Sequence, residues 1–158
     1  REVEGRRARA RLDSAATRVN VADRMARRTL ERASRYLGAR PVHSPREADF
    51  LLELDVLNLH IDARSSSAAY LYVEAEAILL DERTGRAIWS ERVAGRTLLT
   101  PVVHTGERFP GKVVTAGALG LISVAEFERM LERLADFAAD LVVEELREDL
   151  RDVRRGGG

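Results

Sequence analysis

Residues 70–98 read YLYVEAEAILLDERTGRAIWSERVAGRTL. Leu71, Val73, Ala75, Ala77 and Leu79 alternate with Tyr72, Glu74 and Glu76. A period of two predicts a strand with one buried face. The segment Asp81-Glu82-Arg83-Thr84-Gly85-Arg86 then suits a tight turn with glycine in the left-handed region, where the missing Cβ removes the steric penalty. The chain returns as Ala87 to Val93. This turn pairs Glu82 with Arg86 and then Leu80 with Ile88, Leu79 with Trp89, Ile78 with Ser90, Glu76 with Arg92, and Ala75 with Val93. Apolar pairs inside and an opposite-charge pair outside make the register self-consistent. Ala75 and Ala77 leave a shallow trough that a helix can fill.

Working back from this hairpin, Phe50 to Ile61 is a further strand, with Leu52, Leu54 and Val56 inward and Glu53 and Asp55 outward. Ser65, Ser66 and Ser67 fall in the loop before Tyr70, so the first two strands form a hairpin as well. Pairing Ile61 with Tyr70 sets Leu59 beside Tyr72 and gathers Leu57, Leu59, Ile61, Tyr70 and Tyr72 into an apolar patch on the outer face. Such a patch calls for cover by another segment or by a partner. Residues 100–122, a long connection punctuated by Gly and Pro, are the natural segment to cover it, since loops of this length are uncommon and usually functional.

Two helices flank the strands. Ala15, Val19, Ala22, Ala26, Leu30, Ala33 and Leu37 recur at threes and fours, an amphipathic stripe. Asp13 or Ser14 can cap its start, and Gly38 ends it. Ser123 and Glu126 form a capping box, with Ile122 and Phe127 at the staple positions. The stripe Phe127, Met130, Leu131, Leu134, Phe137, Ala138, Leu141 and Val142 follows and runs towards Val153. Residues 1–35 hold eleven Arg against five acids and residues 123–155 ten acids against six Arg, a bias that favours neighbouring placement. Residues 1–12 lack a stripe and read as a flexible basic arm or tether. Residues 13–155 read as one domain and residues 156–158 as a glycine tail. The fold class is α+β: an antiparallel meander of at least three strands with two long helices on one face.

Composition narrows the function. With 26 basic and 26 acidic residues the formal net charge is zero, so no global field attracts nucleic acid. A chain without cysteine has no disulfide framework or thiolate chemistry. No apolar run approaches the ~20 residues that cross a bilayer. Gly106 to Lys112 matches GxxxxGK but lacks the following Ser/Thr, and Pro110 removes an amide that a phosphate cradle needs. His43, His60 and His104 have no neighbour at metal spacing. Ser65, Ser66 and Ser67 lack a nucleophile-elbow context. Trp89, on the same face as Leu79, is a core anchor rather than a stacking platform. These residues point to no catalytic group, cofactor or metal. Glu53, Asp55, Glu74 and Glu76 share the outer face, with Asp55 beside Glu76, and are the one set able to serve a small-ligand, calcium or hydrolase role; Arg92 is their counter-ion in a solvated face.

The order of parts resembles a group of bacterial envelope lipoproteins: the curli-secretion lipoprotein, the lipoprotein activators of penicillin-binding proteins, and the amino-terminal domain of the Tol-system propeller protein. The matching residues are Ala48-Asp49-Phe50-Leu51-Leu52, the turn Leu80-Asp81-Glu82-Arg83-Thr84-Gly85-Arg86-Ala87-Ile88-Trp89, and the closing helix that ends Leu146-Arg147-Glu148-Asp149-Leu150. The resemblance implies a sheet with helices on one face, a periplasmic location, and anchoring to the outer membrane through a cysteine ahead of Arg1. It also implies a non-enzymatic role in envelope assembly or transport, by binding an envelope protein or by self-association. The apolar patch Leu57, Leu59, Ile61, Tyr70 and Tyr72 is the expected contact.

Overall fold

The computed structural model describes residues 2–63, 69–99 and 119–156. Three strands, β1 (Phe50–Asp62), β2 (Tyr70–Asp81) and β3 (Ala87–Leu98), form one antiparallel sheet in the order β1-β2-β3. Three helices, α1 (Glu2–Arg18), α2 (Val21–Leu37) and α3 (Val124–Gly156), accompany them, with a short 3-10 turn at Pro45–Glu47. The helices supply Ala8, Leu12, Ala15, Val21, Met25 and the α3 stripe to one core with Leu71, Val73, Ala75 and Ala77 of β2. The fold is the expected α+β meander, with its helices on the alanine-rich face.

The β2–β3 register follows the sequence reading from Leu79↔Trp89 through Glu76↔Arg92 to Ala75↔Val93. It departs at the turn. Gly85 takes φ 69° and donates its amide to the Asp81 carbonyl at 2.8 Å. The Asp81 side chain accepts from the Arg83 amide at 3.0 Å, and the Asp81 amide donates to the Arg86 carbonyl at 2.9 Å. The aspartate turn thus closes the ladder at Asp81 and Arg86, not at Glu82 and Arg86. Leu80 pairs with Ala87, and Ile88 becomes the extra residue of a bulge, 54% exposed.

A second bulge reshapes β1. Val56 pairs with Ala75 and Asn58 with Glu74, so Leu57 is the extra residue. Beyond it the pleat inverts. Leu59 lies opposite Val73 and Ile61 opposite Leu71, and both turn inward to pack against the core. One inserted residue moves every later side chain to the other face. The expected pairing of Ile61 with Tyr70 is therefore corrected.

The expectation of an unstructured arm over residues 1–12 is also corrected. Residues 2–12 belong to α1, where Ala8, Leu12 and Ala15 follow at i, i+4 and i+7 with 0%, 5% and 0% exposure. Arg11 donates to the Gly120 carbonyl and, at 3.0 Å, to the Ile122 carbonyl, which binds α1 to the residues leading into α3. The expected single helix through Leu37 breaks at Asn20, whose side chain caps α2 by accepting from the Asp23 amide at 3.0 Å. Asp13 and Ser14 lie inside α1. The break resets the phase: Val21, Met25, Thr29 and Ala33 are buried, whereas Leu30 and Leu37 remain 43% and 45% exposed. Gly38 closes α2 at φ 63°, as expected.

Thr29 is fully buried with a hydroxyl that has no hydrogen-bond partner. Such a group retains its desolvation cost without return. Thr29→Val, which keeps the shape, is expected to stabilise the domain by about 1 kcal/mol, read as a rise in Tm of about 2–4 °C. An unchanged or lower Tm would contradict this.

α2 and α3 run parallel, locked by a ladder. Arg24 holds both Asp136 oxygens at 2.9 and 3.0 Å, and Arg28 holds both Asp140 oxygens at 2.8 and 3.1 Å. Arg32 adds a second contact to Asp140, and Arg18 reaches Glu128 at 3.2 Å. The opposite charge biases of the two ends of the chain are here spent on each other. The Arg28 hydrogen bonds, followed by those of Arg32, hold the Asp140 carboxyl below its usual range against the opposing effect of burial. A depressed carboxylate stabilises the fold above its unfolded pKa of about 3.9 and loses that contribution as pH falls through its folded value. Asp140→Asn is expected to cost about 1 kcal/mol at pH 7, since the pair is partly solvent-screened. The difference from the parent should shrink as the pH of the melting experiment drops below about 4. A pH-independent difference would show that the charge is not its source.

Candidate functional site

The outer face of the sheet forms a grid of three columns. β2 contributes Tyr70, Tyr72, Glu74, Glu76, Ile78 and Leu80. Their neighbours on β1 are Asp62, His60, Asn58, Asp55, Glu53 and Leu51. On β3 they are Leu98, Arg96, Ala94, Arg92, Ser90 and Ala87. No described element lies over this face, and Ser90, Arg92, Ala94, Arg96 and Leu98 are all exposed.

The grid has a charged middle and an aromatic end. Arg92 donates to Glu76 at 3.0 Å and stands 3.8 Å from Glu74. Asp55 sits directly across from Glu76, as the sequence predicts. At the aromatic end the Arg96 guanidinium lies 4.5 Å above the Tyr70 ring, a cation–π arrangement. The Tyr72 and His60 rings are 5.1 Å apart at 53°, and the His60 Nδ1 is 3.1 Å from the Asn58 side-chain oxygen. Arg96, Tyr70, Tyr72, His60 and Asn58 are thereby joined in ring and polar contacts, and no described element covers them.

The expected five-residue patch is not assembled. Leu57, 46% exposed at the bulge, lies beside the Glu74–Ala75 step of β2, away from the ends where Tyr72 meets His60 and Tyr70 meets Asp62, and Leu59 and Ile61 belong to the core side. The carboxylates Glu53, Asp55, Glu74 and Glu76 are brought onto one face, as expected, with Arg92 between Glu74 and Glu76. Among the described residues no group of three or more His, Cys, Asp or Glu stands close enough to hold a metal ion. His43 is exposed in the connector after α2. His104, the Gly106–Lys112 motif, and Ser65, Ser66 and Ser67 lie outside the described residues; so do residues 100–118 of the 100–122 connection expected to cover the patch, while Leu119 and Ile122 at its end are buried in the core.

On the helical side, Trp89 packs against the core and donates its indole N–H to Asp149 at 2.8 Å. Burial, then Glu148, Glu91 and Asp149, pushes the neighbouring Glu145 carboxyl up. An open cleft of about 460 Å³ sits where α1 meets α2. Its arginines are mostly engaged: Arg24 with Asp136, Arg28 with Asp140, and Arg27 with Asp23 at 2.6 Å. The ladder and the indole contact escaped the sequence reading. Matched i, i+4 spacing of Arg24, Arg28 and Arg32 against Asp136 and Asp140 was the available signal.

No helix among the described residues is long and apolar enough to cross a membrane. No family model matches the sequence, and no curated protein matches it. Among solved structures, a candidate lipoprotein from Caulobacter crescentus CB15 is similar at 16% identity and a TM-score of 0.47, over 78% of this chain and 81% of its own. A Xanthomonas campestris protein of family DUF330 is similar at 18% identity and a TM-score of 0.41, over 72% of this chain and 53% of its own.

Proposed function

We propose that the chain is a non-enzymatic domain of the bacterial envelope that works by binding protein, with the aromatic end of the outer sheet face as its contact. The observation that carries this reading is the group of Tyr70, Tyr72, His60 and Arg96 in ring contacts, over which no described element lies. Aromatic and arginine side chains that are already oriented lose little entropy on docking, and they are the residue types enriched at interface centres. The compartment rests on the resemblance of residues 48–52 and 80–89 to envelope lipoproteins, with an outer-membrane anchor as its finer form. The carboxylate alternative is less favoured, because Arg92 already occupies the space between Glu74 and Glu76.

The test places a photo-crosslinking amino acid at Tyr72, and in a separate variant at the exposed Arg133 on the helical side, in cells that carry the protein. A discrete protein adduct from position 72 that is lost with Arg96→Glu, and none from position 133, is the expected result. Equal or absent adducts at both positions would sink the reading.

A further inference from the structure

The apolar cover of the sheet stops short on one side. Leu71, Val73, Ala75 and Ala77 of β2 are each 0% exposed. The inward side chains of β1 never reach that state: Leu52, Leu54 and Val56 stay half-buried, and Phe50, of the same parity, is 57% exposed. β1 is an outer strand of the sheet, so one row of its backbone N–H and C=O groups has no strand beside it among the described residues.

α2 overhangs this edge. Its flank towards α3 carries Arg24 and Arg28, and its buried line carries Met25 and Thr29. At 100° per residue, Leu30 and Leu37 fall on the flank opposite the arginines, which faces away from α3 and out over β1. Seven residues apart, they form one line two turns long. The direction of α2 sets that line above the first half of β1. Arg147 covers the Tyr36 ring near the end of α2, and the next turn of α3 holds Trp89 through Asp149. That is the end of the sheet where Phe50 pairs with Asp81. The candidate groove is the surface bordered by the edge of Phe50–Val56, which has no strand beside it among the described residues, the half-buried Leu52 and Leu54, and the Leu30–Leu37 line. The bulge at Leu57 closes its far end.

The charge on this edge selects the occupant. Glu53 and Asp55 point outward and are exposed, and Phe50–Val56 contains no basic residue. A second copy pairing β1 with β1 antiparallel would bring like carboxylates together, which is destabilising. The geometry points to β1 as an acceptor edge for an extended segment of another protein, apolar on the helical side and basic on the outer side. Such strand addition draws its affinity from main-chain hydrogen bonds and its specificity from alternate side chains. This inference rests on the protein-binding reading above but uses a different surface.

The probe is a fluorescent nine-residue peptide of alternating valine and lysine, titrated against the full chain by anisotropy with amide exchange followed in parallel. Saturable binding is expected, with slowed exchange confined to Phe50–Val56. The same peptide with glutamate for lysine should bind at least about tenfold more weakly, as one lost charge-assisted contact of about 1.4 kcal/mol implies. Glu53→Lys with Asp55→Lys should reverse that preference. Leu37→Glu, at an exposed position and with folding checked by circular dichroism, should weaken the lysine peptide, while Tyr72→Asp should leave it unchanged. That last variant separates failure of this groove from failure of the outer face. Absence of saturable binding, or indifference to Leu37→Glu, would overturn the proposal. So would edge amides that already exchange slowly in the free chain: concentration-independent slowing means the chain covers its own edge, and concentration-dependent slowing means a second copy does.

Discussion

Phe127→Ala is expected to cost about 3–5 kcal/mol of folding stability, the range for truncating a buried aromatic ring. Phe127 is fully buried and among the largest side chains in that state. Its position multiplies the consequence. It lies in the first turn of α3, four residues after Ser123, whose hydroxyl oxygen accepts from the Glu126 amide at 3.1 Å. Ile122, 0% exposed, precedes the cap and completes the hydrophobic staple that fixes the entry angle of the helix. The capping box is only half formed, because the Glu126 carboxylate accepts from the Ser123 hydroxyl at 3.3 Å and leaves one of its oxygens buried without a partner. The staple therefore carries much of the burden at this helix start. The same turn receives α1 through Arg11, which donates to the carbonyls of Gly120 and Ile122. Loss of the ring should lower the urea midpoint with little change in slope. It should also increase exchange of the α1 amides beyond that of the α2 amides. Phe137→Ala is the control: that ring is 50% exposed and lies over Gly95, so its removal should cost far less. Equal losses from the two truncations would mean that the α3 start is not the anchor of the helical layer.

What the sequence discloses depends on whether burial or backbone choice decides the position. The β2–β3 hairpin is legible because Leu71 to Leu79 alternate without interruption and Thr84-Gly85 marks the turn. Its register is correct wherever side-chain pairing decides it, and it fails only at the turn, where the hydrogen bonds of Asp81 lengthen the loop by one residue and leave Ile88 in a bulge. The α1 helix is hidden because its buried stripe is Ala8, Leu12 and Ala15 set among arginines, too small a hydrophobic signal to compete with the charge. The phase error in α2 has the same root. Reading through Asn20 extends the α1 stripe into a second helix with its own starting angle, and Leu30 and Leu37 are then assigned to the core. Their exposure leaves an apolar line on α2, a feature that depends on where a helix stops rather than on any motif. The outer-face carboxylates were legible in full, since Asp55 and Glu76 lie on the near side of the bulge, where the parity still holds.

Leu59→Asp is expected to cost about 3 kcal/mol or more, whereas Leu57→Asp should stay within about 0.5 kcal/mol of the parent. The two residues stand two apart in a strand, so unbroken alternation would put them on one face and give them one fate. The bulge between Val56 and Asn58 separates them. Leu59 faces the core opposite Val73, which is 0% exposed, whereas Leu57 is 46% exposed at the edge. An aspartate at position 59 must either carry its charge into an apolar layer or bind a proton there, and both are unfavourable. The physical reason for the bulge is visible in the sequence once the register is known. Without it, Leu57, Leu59 and Ile61 would all lie on the outer face, and with it two of the three join Leu71 and Val73 inside. The inserted residue leaves one position with its ladder disturbed and returns two large side chains to the core, each worth about 1.5–3 kcal/mol when fully buried. Thermal melts of the two variants at neutral pH decide the matter. Equal and small losses would restore the straight strand and the five-residue outer patch. A large loss at 59 alone fixes the inverted pleat and leaves Tyr70 and Tyr72, without Leu59 and Ile61, on the outer face.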